Sequence, residues 1–200
     1  MATPFDLLTR ELRRDGSRPF ITWYGDEPGQ RVELSVATTA NWVAKIAGYI
    51  DDELDVDEPI VVPAALHWIS AVALLAAWAA GADVATALSP GGQRLELPLD
   101  PMGAGLSRLV AAYPDAFSSP NPSGEDVVEA ARGAVPEAAR VLTASPLAGP
   151  GLVWGLVGPL LAQGSAVYCA ADAAGLAERA AAERVTHTAG VDLTGLPRLG

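Results

Sequence analysis

The segment from Val141 to Thr143 reads as a strand, Gly149-Pro150-Gly151 and Gly155 open the helical stretch after it, and Asp172 lies about 20 residues further on. Glycines in such a place let backbone amides approach a pyrophosphate, and an acid at the end of the next strand can hold a ribose hydroxyl. Three details oppose that chemistry. The first glycine stands well past the strand tip, the last is one place too far along, and Pro150 removes an amide that could donate to phosphate. A plain helix-entry turn uses the same residues. The unit Gly149-Gly151-Gly155 with Asp172 therefore supplies the alternative functional reading, a small α/β dinucleotide-binding protein or enzyme.

Cys169 and His187 are expected on neighbouring strands of the second half, where a thiol–imidazole pair is conceivable. Nothing nearby orients the imidazole, and buried cysteine is commonplace, so core roles fit both. His67 precedes Trp68 at a helix start, the place of a polar helix-end residue. Two histidines and one cysteine leave a zinc site unsupported. The chain has neither a Gly-x-Ser-x-Gly elbow nor a Gly-Lys-Ser/Thr phosphate loop. The acidic run Asp51 to Glu58 lacks the central glycine and terminal glutamate of a calcium loop and reads as a solvated loop. No metal and no cofactor is expected.

The elements that must position these residues follow from periodicity. Phe5, Leu8 and Leu12 mark an amphipathic helix from Pro4 to Arg14. Phe20 to Tyr24 and Val32 to Leu34, separated by turn formers, predict a hairpin. Ser35 caps a helix whose stripe is Trp42, Ile46, Tyr49 and Ile50. Ile60 to Val62, His67 to Ala80 closed by Gly81, and Val84 to Leu88 predict a βαβ unit with parallel strands. Leu95-Glu96-Leu97 reads as an edge strand, and residues 114–124 as a linker that could divide two subdomains of one 200-residue unit. Beyond it come a helix at Glu125 to Arg132, the strand at Val141, a helix at Gly151 to Ala162, a strand at Ala166 to Cys169, a helix at Leu176 to Glu183, and a strand at Val185 to Thr188. The fold class is α/β: a mostly parallel sheet with flanking helices and an N-terminal β-hairpin.

The chain's 200 residues are 50% hydrophobic and 18% charged, enough apolar content to bury a core. Thirteen basic against 24 acidic residues give a net charge of −11, which repels phosphate backbones and argues against nucleic acid as a partner. Residues 59–82 and 141–171 carry no charge. Pro63, His67 and abundant alanine in the first, and several prolines and glycines in the second, make them buried sheet and helix instead of membrane spans. A lone cysteine and no signal-peptide pattern predict a cytoplasmic protein.

The run RVELSVATTANWVAKIAGYIDDELDVDEPIVVPAALHWISAVALLAAWAAGADVATALSP resembles the start of the AMP-forming acyl-CoA synthetases, the adenylate-forming superfamily. Leu34-Ser35, Ala80-Gly81-Ala82 and Leu88-Ser89-Pro90 stand at the family's landmarks. The run ARVLTASPLAGPGLVWGLVGPLLAQGSAVYCA is similar to the segment after the family's phosphate loop, where Gly149 occupies the place of a Pro-Leu-Phe-His histidine, and AAERVTHTAGV resembles the strand after it. Leu34-Ser35 with Asn41 to Lys45 is most similar to a group of short bacterial synthetase-like proteins. The resemblance implies a synthetase N-terminal-domain-like fold.

What the family uses for catalysis is missing. Its phosphate loop belongs between Phe117 and Arg140, a stretch without lysine; Lys45 is the only lysine in the chain. The family's catalytic lysine belongs to a C-terminal domain that this chain does not reach. The resemblance therefore implies a non-catalytic relative that binds an acyl or nucleotide-like ligand or a protein partner, with homo-oligomerisation expected where further subdomains would otherwise cover apolar surface. Ligands in open α/β sheets sit outside the carboxyl ends of strands, here the loops after Val62, Leu88, Thr143 and Cys169. Ser145, Gly149, Gly151 and Trp154 are the candidate binding residues: the glycines admit close backbone approach, and Trp154 offers an apolar face. Trp154 could equally pack its helix onto the sheet.

Overall fold

The computed structural model spans residues 1–200 and describes all of them except Pro28, 87–91, Ala171, Asp172 and Ala174. Leu88-Ser89-Pro90, the end of the strand expected at Val84 to Leu88, and the ribose-acid candidate Asp172 lie outside the described residues.

Helix α1 (Pro4–Asp15) starts on a capping box. The Thr3 hydroxyl accepts from the Asp6 N–H, and the Asp6 carboxylate accepts from the Thr3 N–H at 2.9 Å. Its inward face is Leu7, Leu8 and Glu11, while Leu12 of the expected stripe is exposed. Glu11 explains the rotation. Its buried carboxylate pairs with Arg18 at 3.4 Å and Arg10 at 3.3 Å, and Arg18 also donates to the Gly164 carbonyl, so this side of the helix is held inward.

Strands β1 (Pro19–Tyr24) and β2 (Arg31–Ser35) form the hairpin. The Ser35 hydroxyl accepts from the Thr38 N–H at 3.1 Å and starts α2 (Val36–Glu53), which buries Ile46 and Ile50 and leaves Trp42 and Tyr49 half-buried. The helix continues into the acidic run through Glu53. Strand β3 (Ile60–Val61), helix α3 (Trp68–Ala79) and strand β4 (Val84–Ala85) realise the βαβ unit. All of α3 is buried, as a helix apolar on every side must be, and it packs against α1, α2, β1 and β4. No described helix is long and apolar enough to cross a membrane.

Strand β5 (Gln93–Arg94) pairs with β3 two residues before the expected Leu95–Leu97 edge, the Leu95 N–H still donating to the Val61 carbonyl at 3.0 Å. After α4 (Ala104–Leu109), the linker-like stretch is a strap. Lys45 donates to the Tyr113 carbonyl at 2.7 Å, Ser119 to the Ala79 carbonyl, and Ser123 to the Ala82 carbonyl at 2.6 Å. It delivers the chain to α5 (Glu125–Ala130).

Strand β6 (Arg140–Thr143) leads to α6 (Pro150–Leu152), a π-helical turn (Val153–Val157) and α7 (Gly158–Leu161). Pro159 has no N–H to give the Gly155 carbonyl four residues back. The buried Tyr168 hydroxyl donates to it instead, at 3.0 Å. Strand β7 (Ser165–Tyr168), helix α8 (Leu176–Ala182), strand β8 (His187–Ala189) and strand β9 (Arg198–Leu199) complete the chain.

The large sheet has the order β2-β1-β7-β6-β8-β9 and is parallel except for the hairpin pair; β4-β3-β5 form a small parallel sheet. Ile21, Trp23, Ala166 and Tyr168 face the core shared with α1, α2 and α3, while Leu142, Val167 and Cys169 pack with Leu176 and Ala180 of α8.

Candidate functional site

The loops at the carboxyl ends of the strands meet. The Leu147 N–H, after β6, donates to the Ala64 carbonyl, after β3, at 2.9 Å, and the Trp23 indole N–H at the end of β1 donates to the Leu66 carbonyl at 3.1 Å. His67 caps α3 in this junction. Its Nδ1 accepts from the Ile69 N–H at 3.1 Å, which leaves Nε2 as the protonated nitrogen of the neutral ring. The ring packs between Trp23 and Trp68, with centroids 4.5 and 5.9 Å away, and Nε2 has no partner among the described residues. Burial lowers its pKa to about 4 against the opposing charge of Asp100.

Of the four candidate binding residues, Ser145 and Gly151 lie against each other, a Cβ on Gly151 standing 3.0 Å from the Ser145 Cβ, while Gly149 and Trp154 have other neighbours. The Ser145 N–H donates to the Thr143 hydroxyl at 3.2 Å, and its own Oγ would stand 2.0 Å from a Cβ on Gly190, whose φ is +73°. Gly151 is a packing glycine, since a Cβ there would lie 2.0 Å from the Pro146 carbonyl oxygen. Trp154 packs against the cluster of Val135, Ala139, Val141 and Ala189, with Leu199 beside it. Gly155, the last glycine of the dinucleotide-like unit, sits against Thr143 and Leu147. These contacts make Gly155 a site of close helix–strand approach and Gly151 one of close approach to the loop after β6.

Gly149 is different. Its φ of +48° and ψ of −128° suit glycine, and a Cβ would meet nothing within 4 Å. It opens onto a cavity of about 520 Å³ between the end of α3, α5 and the start of the α6–π segment. Trp78, Val127, Leu152 and Val153 supply apolar walls, and Asp83 and Asp126, both exposed and in no ion pair among the described residues, stand at its rim. Among the described residues, no lysine, arginine or histidine lines it. Sequence reasoning missed Trp78, Asp83 and Asp126. The available signal was a tryptophan one turn before Gly81 in an alanine-rich helix, facing a strap that returns to Gly124, whose Cβ would touch the indole at 2.9 Å.

The Cys169–His187 pair does not form, and the expectation of neighbouring strands is corrected: β6 lies between β7 and β8. The Cys169 sulfur accepts from Arg179 at 3.1 Å, and His187 Nδ1 is 2.9 Å from the Thr186 hydroxyl. Among the described residues, no group of three His, Cys, Asp or Glu is placed to hold a metal. A second polar centre joins distant elements. Glu183 takes hydrogen bonds from the Tyr24 hydroxyl at 2.6 Å, from Arg31 at 2.8 Å and from Arg140, which also reaches Thr22 and Ser165 at 3.0 Å each.

No family model matches the chain. Among solved structures, apo MatB from Rhodopseudomonas palustris superposes with a TM-score of 0.74 at 16% identity, over 94% of this chain and 48% of that one. The N-terminal domain of FACL13 from Mycobacterium tuberculosis gives 0.73 at 12%, over 95% and 63%. The anthranilate CoA ligase AuaEII, in complex with anthranoyl-AMP, gives 0.71 at 13%, over 94% and 48%. The chain thus spans about half the length of the MatB and AuaEII chains, and its fold is that of the N-terminal domains of AMP-forming acyl-CoA synthetases. A TIGR03089 family protein of Mycobacterium tuberculosis is 32% identical over 244 aligned residues, covering 94% of this chain and 99% of the relative. With that identity over nearly the whole of both proteins, the chain belongs to the TIGR03089 family.

Proposed function

We propose that this protein is a non-adenylating member of the synthetase-like fold that binds an apolar, acyl-like ligand in the cavity beside Gly149. The observation that supports this reading is the lining: a volume of about 520 Å³, walls of Trp78, Val127, Leu152 and Val153, and no cationic side chain among the described residues. A triphosphate or the phosphates of CoA would meet Asp83 and Asp126 and nothing to offset their charge. Three positive groups are engaged elsewhere: Lys45 holds the strap at the Tyr113 carbonyl and Asp115, Arg132 pairs with Glu129, and Arg140 binds Glu183.

Thermal shift with the purified chain tests it, using ATP, CoA, an acyl-adenylate mimic, NAD(P) and hexanol as a neutral apolar probe. Hexanol near 100 times its dissociation constant should stabilise the fold by about 2.7 kcal/mol, with no response to ATP. Ala130→Trp places a bulky ring at the exposed mouth of the cavity and should abolish the response. Stabilisation by ATP or CoA, or a hexanol response that survives Ala130→Trp, overturns the reading.

A further inference from the structure

We infer that the cavity beside Gly149 selects ligands carrying a positive nitrogen, an organic ammonium with an apolar body, over neutral or carboxylate ligands of the same shape. The inference rests on the cavity being a ligand site, as proposed above, and concerns its charge selectivity. Among the described residues, Asp83 and Asp126 are the only charged ones lining the cavity, and neither is engaged in an ion pair there. They approach from different elements, Asp83 from the turn into β4 and Asp126 from the first turn of α5. Among the described residues, the charge offered to a ligand head in the cavity is therefore that of these two carboxylates. Each exposed carboxylate contributes modestly across water, but both act with the same sign on one head group. A carboxylate head would meet two like charges and no cationic side chain among the described residues. The acid substrates that a synthetase activates are thus the head-group class this cavity disfavours.

The experiment compares hexylammonium, hexanol and hexanoate on the full chain by calorimetry, at low and at 0.5 M salt. Hexylammonium should bind about tenfold tighter than hexanol at low salt, the margin shrinking at high salt, and hexanoate should bind weakest. In Asp83→Asn/Asp126→Asn the ammonium and the alcohol should become equal. Asp51→Asn/Glu58→Gln removes the same net charge from exposed positions in the last turn of α2 and the loop after it and should leave the preference intact, which separates a local effect from the general −11 charge. Equal binding of ammonium and alcohol by the unaltered chain overturns this inference and leaves the cavity reading standing. A preference that persists without the two aspartates, or that vanishes in Asp51→Asn/Glu58→Gln, also overturns it. If none of the three probes binds, the cavity reading fails as well.

Discussion

At the residue scale, Glu183 is the most strongly coupled charge in the molecule's polar centre. Burial by itself raises a carboxyl pKa, but hydrogen bonds from Arg31, Tyr24 and Arg140 outweigh burial and bring Glu183 down to about 2 from an ordinary 4.5. The same contacts raise the Arg31 guanidinium, and burial with the bond to Glu183 raises the Tyr24 phenol. Since the folded pKa lies below the unfolded one, the stabilisation is complete above about pH 4.5 and is lost as pH falls towards 2. Urea unfolding at stepped pH should show that loss in the wild type and a flatter profile in Glu183→Gln; parallel profiles would remove Glu183 from this role. His67 is depressed too, for a different reason, burial of its neutral ring. Its contribution is present above pH 6.5 and is lost as pH falls to about 4. In His67→Asn, where the amide oxygen can still cap α3, stability should no longer vary with this residue across that window.

At the scale of elements, the helix after β6 shows how one proline is accommodated. Pro159 deprives Gly155 of its helical donor, the backbone widens into a π turn, and Tyr168 crosses from β7 to supply the missing hydrogen bond. Tyr168→Phe should cost about 1–3 kcal/mol, measured by denaturant unfolding, because it strands a buried carbonyl. A cost near zero would mean the turn does not depend on that bond. Trp154, on the same segment, packs against Val141, Ala189 and Leu199 and not into the cavity. Trp154→Ala should lower stability by about 3 kcal/mol and leave the hexanol response unchanged. The reverse result, an unchanged melting temperature with a lost response, would return Trp154 to the binding site.

For the whole molecule, the decisive comparison is between fold and charge. The chain has the layered architecture of a synthetase N-terminal domain, yet the stretch between Phe117 and Arg140 is a hydrogen-bonded strap and a short helix, and its arginines are paired with Glu129 and Glu183. Adenylation needs positive charge placed against the triphosphate as the transition state develops. ATP–pyrophosphate exchange with carboxylic acids should therefore stay at background in a clean preparation, and exchange above background would contradict the non-adenylating reading.

The sequence by itself determined the kind and order of most elements, because those depend on local periodicity and on caps such as Thr3 and Ser35. It also determined that residues 59–82 are interior, since an alanine-rich run without charge has no polar face to show to water. The tertiary structure decided what local pattern cannot encode. Ile21 pairs with Ala166, β6 slides between β7 and β8 to separate Cys169 from His187, and Glu11 turns α1 inward because Arg18 waits there. The four candidate binding residues follow one another along the chain, but only Gly149 among them lines the cavity. The cavity instead gathers Trp78 and Asp83, Asp126, and Gly149 from three separate segments. Such a lining leaves no spacing in the sequence, because its members meet only after strand order and helix packing have brought distant backbone together.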